Sequence, residues 1–211
     1  MIFAAALAAA LAAALAVCLG LALGRRSGGT CLFVLGSGGH TAEMVQLLKG
    51  MLSSGDGERL RRGFRRVYVV AKTDALSARK AVALEESLGS SDSSYRIERI
   101  DRAREVGQSY ITSLVSTLRS FVTTASLVWR YRPGMVVVNG PGTCLPIVVW
   151  ARVLVRGCRV YYVESIARVD HLSLTGRMLL TLGLANGGFF VQWKELADKL
   201  KGRVRHAGRV Y

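Results

Sequence analysis

Six consecutive residues, Gly36-Ser37-Gly38-Gly39-His40-Thr41, carry the strongest chemical signal in the chain. They follow a short apolar run over 30–35 and precede a stretch with helical apolar spacing over 41–52, so they form a strand-to-helix turn. Glycines there let a ligand approach the backbone, and the free amides of a helix start attract an anion. A phosphate or diphosphate is therefore the expected ligand; a tight strand–helix connection is the plainer alternative. The turn is not a dinucleotide fingerprint, because Thr41 holds the third glycine position, and no Gly-Lys-Ser/Thr makes it a P-loop. Lys72, not an acid, comes directly after the second strand, which also argues against a dinucleotide. His40, directly after the glycines, is badly placed for core packing. A ring at that position suits a base or a hydrogen-bond donor, with simple capping as the alternative.

Two more polar segments end apolar runs. Asn139-Gly140-Pro141-Gly142-Thr143 offers amides, a carboxamide and a hydroxyl, which suit a sugar or a phosphate. Glu164-Ser165-Ile166-Ala167-Arg168 follows Tyr-Tyr-Val, and Glu164 is placed to orient a sugar hydroxyl; a pair with Arg168 or another arginine is its alternative. No Asp-x-Asp motif suggests a metal. The four cysteines, 18, 31, 144 and 158, form no C-x-x-C pair, so neither a zinc ribbon nor a thioredoxin-type site is encoded. Reduced, mostly buried thiols are expected.

The elements that must hold these loops read as alternating strands and helices. Strands are expected at 30–35, 67–71, 95–100, 135–138, 160–163 and 189–191. Helices are expected at 41–52, 77–88, 109–131, 145–155, 172–182 and 195–200, with a polar connector over 53–62. Strands apolar throughout and alternating with helices mean a parallel sheet covered on both faces, a doubly wound α/β domain. Ligands bind such sheets at the carboxyl ends of strands, and all three polar loops fall on that rim.

Residues 2–23 stand apart: they carry no charge and are almost wholly Ala and Leu. As a helix they would span about 33 Å, enough for a hydrocarbon core of about 30 Å. No Lys or Arg precedes the run, while Arg25 and Arg26 follow it. That pattern favours one uncleaved transmembrane anchor over 1–24 against a signal peptide or a disordered Ala-rich extension. It places the single domain expected over 25–211 in the cytosol. The chain has 29 Lys+Arg against 14 Asp+Glu, a formal charge of +15, and all of it lies beyond the apolar run. Anionic membrane and phosphorylated ligands are the expected counterparts. Nucleic acid is not: no zinc-finger spacing, helix-turn-helix signal or aromatic-rich basic motif is present.

The Gly-Ser-Gly-Gly-His-Thr turn, Arg102-Ala103-Arg104-Glu105-Val106, residues 139–144, residues 163–168, Gln192-Trp193 and the closing Gly208-Arg209-Val210-Tyr211 together resemble one family. It is the membrane-anchor subunit of the two-part UDP-N-acetylglucosamine transferase of asparagine-linked glycosylation. The likeness runs through nearly the whole cytosolic part in order. It implies a Rossmann-like fold similar to the amino-terminal, acceptor-binding half of a GT-B glycosyltransferase, on the cytosolic face of the endoplasmic reticulum. It implies a soluble partner that binds UDP-GlcNAc, with the pair adding the second GlcNAc to dolichyl-diphosphate-GlcNAc. A pure scaffold for the partner, or a self-sufficient nucleotide-dependent enzyme, is the competing expectation. On this resemblance Gly36, Ser37, Gly38, Gly39 and Thr41 receive the acceptor diphosphate, helped by arginines such as Arg168. His40 is the base in an inverting transfer without metal or cofactor. Glu164 joins it at the reacting centre, Asn139, Gly140, Pro141, Gly142 and Thr143 position the acceptor, and Val210 and Tyr211 hold the partner.

Overall fold

A computed structural model of the chain describes residues 25–101, 110–206, 208 and 209. The expected anchor over 1–24, the segment 102–106, Val210 and Tyr211 lie outside the described residues. Among the described residues no helix is long and apolar enough to cross a membrane.

The chain runs β1 (Arg25–Arg26), β2 (Thr30–Val34), α1 (Gly39–Ser53), α2 (Gly55–Gly63), β3 (Arg65–Ala71), α3 (Ala75–Ser87), β4 (Tyr95–Ile100) and α4 (Tyr110–Tyr131). It continues through β5 (Met135–Val138), α5 (Cys144–Leu154), β6 (Val155–Arg156), β7 (Arg159–Val163), α6 (Leu174–Thr181), β8 (Gly188–Val191), α7 (Lys194–Lys199) and β9 (Arg205–His206). Seven strands form one sheet in the order β4-β3-β2-β5-β7-β8-β9, and every adjacent pair is parallel. β1 and β6 pair separately. The six expected strands are all present; β1, β6 and β9 are short additions.

Strand order reverses between β2 and β5. The first three large strands build outward to β4. The long α4 then carries the chain back to the other side of β2, where it builds outward again to β9. The crevice between the ends of β2 and β5 is the switch point, where parallel sheets of this kind bind ligands.

Side-chain alternation divides the core. Phe33, Tyr68 and Val70 point to one face, against Met44, Leu48 and Leu52 of α1 and Ala81 and Leu84 of α3. Leu32, Val69, Val136, Val160 and Tyr162 point to the other, against Leu127 and Val128 of α4, Ile147 and Val148 of α5 and Leu179 of α6. Cys31, Cys144 and Cys158 are free and buried. Burial pushes each thiol up to about 12, so they pack as small apolar groups.

The expected connector over 53–62 is instead largely helix, α2. Its three glycines disguise it, but its ends are well made. Ser54 Oγ accepts from the Gly57 amide at 3.1 Å, Asp56 and Glu58 lie in the first turn, and Arg61 and Arg62 in the last.

β3 is tied to α3 by a buried cluster. Arg66 Nε donates to Glu85 Oε1 at 2.6 Å, and Tyr68 Oη donates to the same oxygen at 2.6 Å. Burial alone would push the Glu85 carboxyl up; hydrogen bonds from Arg66, Ser90 and Tyr68 outweigh it and hold the group below the usual carboxylate range. A carboxylate depressed in the fold contributes stability above its unfolded value and loses it as pH falls. Stability of the full chain in detergent, followed by denaturant midpoint, is therefore expected to fall on acidification. Glu85→Gln should remove that share of the pH dependence.

Candidate functional site

The three polar loops meet at the carboxyl rim because β2, β5 and β7 are neighbours in the sheet. Asn139 Nδ2 donates to the His40 carbonyl at 2.5 Å, joining the first two across the crevice. Close approach explains two of the glycines. A Cβ on Gly36 would lie 2.7 Å from Pro141 Cγ and 2.9 Å from His40 Cβ. Gly140 has φ +111°, and a Cβ there would lie 3.2 Å from His40 Cε1. Any larger residue at either position would push the imidazole off the rim.

Two helices start at this crevice, α1 and α5, and neither start is capped by a side chain. By contrast α2, α3 and α6 are capped by Ser54, Asp74 and Ser173. At α5 the Cys144 and Leu145 amides already donate to the Pro141 and Gly142 carbonyls and Pro146 has no N–H, so the α1 start, with the Gly39, His40 and Thr41 amides, is the one that offers donors to an anion. Two buried polar atoms in the same place, His40 Nδ1 and Asn139 Oδ1, have no hydrogen-bond partner among the described residues. Buried polar groups are nearly always paired, so a pair of orphans beside the open α1 start marks a place for a polar ligand. Ser37, Gly38, Gly39 and Gly142 are exposed around it, and Thr143 is half-buried at the α5 start.

Thr41 is placed differently from the rest of its turn. It is buried, its hydroxyl donates to the Gly36 carbonyl, and Ser77 Oγ lies 2.6 Å from it. Ser77 in turn donates to Asp74 Oδ2 at 2.6 Å. Thr41 thus sets the shape of the turn from beneath.

Glu164 is 1% exposed and fully occupied. Its Oε1 accepts from Tyr162 Oη at 3.0 Å and the Ser165 amide at 3.1 Å. Its Oε2 accepts from the Ser173 amide at 2.9 Å and Ser173 Oγ at 3.1 Å. The alternative pairing with Arg168 is absent; the Arg168 Nη1 contacts His171 Nε2 at 3.3 Å. Burial, then the Glu164 charge, pushes the Tyr162 hydroxyl well above its ordinary range, so it serves as a fixed donor. Glu43, which the sequence did not single out, performs the matching task on α1: its carboxylate accepts from Ser165 Oγ at 2.7 Å and is buried. Only its place between Ala42 and Met44, near the helix start, could have hinted at this. Gln192 Nε2 and Trp193 Nε1 hold the same loop by donating to the Glu164 and Ile166 carbonyls at 3.0 and 2.7 Å.

A second opening lies on the α1 face of the sheet. α1 and α3 cover that face over β2 and β3, but no described helix covers it over β7 and β8. The result is an apolar groove of about 620 Å³ lined by Leu47, Met51, Val137, Tyr161, Val163 and Phe190. Gly208 and Arg209 also line it, and the Arg209 guanidinium lies 4.2 Å from the centre of a Trp193 ring.

A parallel doubly wound sheet with an open switch point is a ligand-binding α/β architecture. Accordingly, the fold is similar to a crystal structure of a putative UDP-N-acetylglucosamine 2-epimerase from Listeria monocytogenes. That match has a TM-score of 0.52 at 13% identity and covers 82% of this chain but 42% of the other. At that identity the likeness concerns the fold alone. The sequence narrows the class. The family model "Oligosaccharide biosynthesis protein Alg14 like" matches residues 31–210. The UDP-N-acetylglucosamine transferase subunit ALG14 of Rattus norvegicus is 41% identical over 188 residues, covering 85% of this chain and 82% of its own. The Homo sapiens protein of the same name is 40% identical with the same coverages, and that of Yarrowia lipolytica 38% identical over 80% of this chain and 75% of its own. The chain belongs to the Alg14 family.

Proposed function

We propose that this chain is the membrane-tethered, acceptor-binding subunit of a two-part UDP-N-acetylglucosamine transferase on the cytosolic face of the endoplasmic reticulum. The observation that carries the reading is the switch-point crevice, where His40 stands at the uncapped start of α1 beside Asn139. The α1 start receives the diphosphate of dolichyl-diphosphate-GlcNAc, and Asn139 and Thr143 hold its sugar. His40 takes the proton of the attacking hydroxyl as that oxygen bonds to the anomeric carbon of the donor sugar. The bond to UDP breaks in the same step, giving inversion. Charge developing on the departing UDP is met by amides and basic groups of the partner that holds the donor. Glu164 and Glu43 do not touch substrate in this reading; they position the rim.

The donor sugar nucleotide is held by the partner, which supplies the other half of the GT-B architecture. The apolar groove is where an apolar helix of that partner docks, and Val210 and Tyr211, directly beyond Arg209, extend the contact. Support comes from the relatives' description as subunits and from a sheet face that no described helix covers.

The test is co-expression of the full chain with the candidate soluble subunit, followed by transfer from UDP-GlcNAc to a lipid-diphosphate-GlcNAc. The full chain alone should show no transfer and the pair should be active. Val163→Glu, which puts a charge into the groove, should weaken partner binding at least about a hundredfold while leaving the fold intact. Full activity of the chain alone would overturn the reading.

A further inference from the structure

The rim opposite the crevice carries a feature the transfer reaction does not use. At the amino ends of the strands, Arg65 of β3, Arg96 of β4, and Arg130 and Arg132 at the end of α4 surround a cleft of about 530 Å³ floored by the backbone of Gly28 and Gly29. That volume lies in the range of small-ligand sites. One carboxylate, Glu98, shares the cleft; it accepts from the Tyr131 hydroxyl and lies 3.8 Å from Arg130 Nη1. No carboxylate among the described residues pairs with Arg65, Arg96 or Arg132.

Helix chemistry accounts for only part of this. Cations near the end of α4 suit its dipole, which covers Arg130 and Arg132. Arg65 and Arg96 come from strand starts, where no dipole calls for them. Arg132 also adopts φ 43°, a left-handed position after a helix that glycine would occupy without cost.

Location decides what the cleft would meet. The Gly28 amide donates to the Arg132 carbonyl at 2.7 Å, so the cleft is built on chain that begins five residues beyond the uncharged run over 2–23. Leading away from it, α4 spans about 33 Å along the domain. Val122 and Trp129, two turns apart and 72% and 40% exposed, share its outward face. A bilayer lying along that face would meet both the basic cleft and the end of the tether.

We infer that this cleft is a binding site for the phosphorylated headgroup of an anionic phospholipid, which fixes how the tethered domain lies on the membrane. This rests on the membrane tether proposed above but not on the transfer reaction. The measurement is binding of short-chain dioctanoyl phosphatidylinositol 4-phosphate to the full chain in detergent, where no bilayer is present. It should bind at least about tenfold more tightly than dioctanoyl phosphatidylcholine, and more tightly than free inositol 1,4-bisphosphate. The variant Arg65→Ala/Arg96→Ala/Arg132→Ala should lose about a hundredfold, and the corresponding triple lysine variant should keep most of the affinity. Transfer by the assembled pair in detergent should not change in either variant, which separates this site from the crevice. If the triple alanine variant does not fold, Arg96→Ala alone should lose about fivefold. Equal binding by wild type and variants, no preference over phosphatidylcholine, or equally tight binding of free inositol bisphosphate would overturn the inference.

Discussion

Replacing His40 by alanine in the assembled pair is expected to lower turnover by about 10²- to 10⁴-fold, the ordinary worth of a positioned proton acceptor. The loss should fall on kcat, because the helix amides that hold the diphosphate are untouched. Partner capture should survive, since the groove lies over β5, β7 and β8 and not at the α1 start. Thermal stability should change little: His40 is half-buried, and its interaction with Asn139 runs through the backbone carbonyl, which alanine keeps. A full rate in an assembled His40→Ala pair would leave the chain a scaffold, with all chemistry in its partner.

Glu164→Ala is expected to act through the fold. Removing this buried carboxylate strands the Ser165 and Ser173 amides without acceptors, while the Tyr162 and Ser173 hydroxyls, 2.9 Å apart, can still pair with each other. Two unsatisfied amides, one buried and one partly buried, cost about 1–3 kcal/mol each, so a loss of about 2–6 kcal/mol follows. In a domain of this size that lowers Tm by roughly 10 °C. Arg168→Ala, which breaks only a surface contact with His171, should leave Tm unchanged. An unchanged Tm with lost turnover in Glu164→Ala would instead make Glu164 a substrate contact.

Parallel strands buried on both faces are written as uninterrupted apolar runs, which is why residues 30–34 and 135–138 stand out in the sequence. Strand order is not written there: it depends on where the long α4 delivers the chain, and with it goes any view of the bare face over β7 and β8. α2 was obscured because Gly55, Gly57 and Gly63 are poor helix formers, and capping by Ser54 with charges matched to both ends outweighs them. At the site, the glycine turn and His40 could be found because their composition is unusual. The role of Glu43 could not, because a glutamate on a helix normally faces water, and its partner Ser165 lies more than a hundred residues away. Glu164 was visible as a carboxylate at a strand end, but its partner Ser173 comes from the cap of the following helix, which only the folded loop brings back to it.

Gly39→Ala tests the crevice most directly. A Cβ at Gly39 meets nothing within 4 Å, and the residue needs no left-handed backbone, so the substitution adds one methyl group to the rim and disturbs nothing beneath it. If the helix start receives the acceptor's diphosphate, the KM for the lipid-diphosphate sugar in the assembled pair rises about tenfold, and the KM for UDP-GlcNAc stays the same. An unchanged acceptor KM, or a rise in the donor's KM instead, would contradict the assignment of this rim to the acceptor.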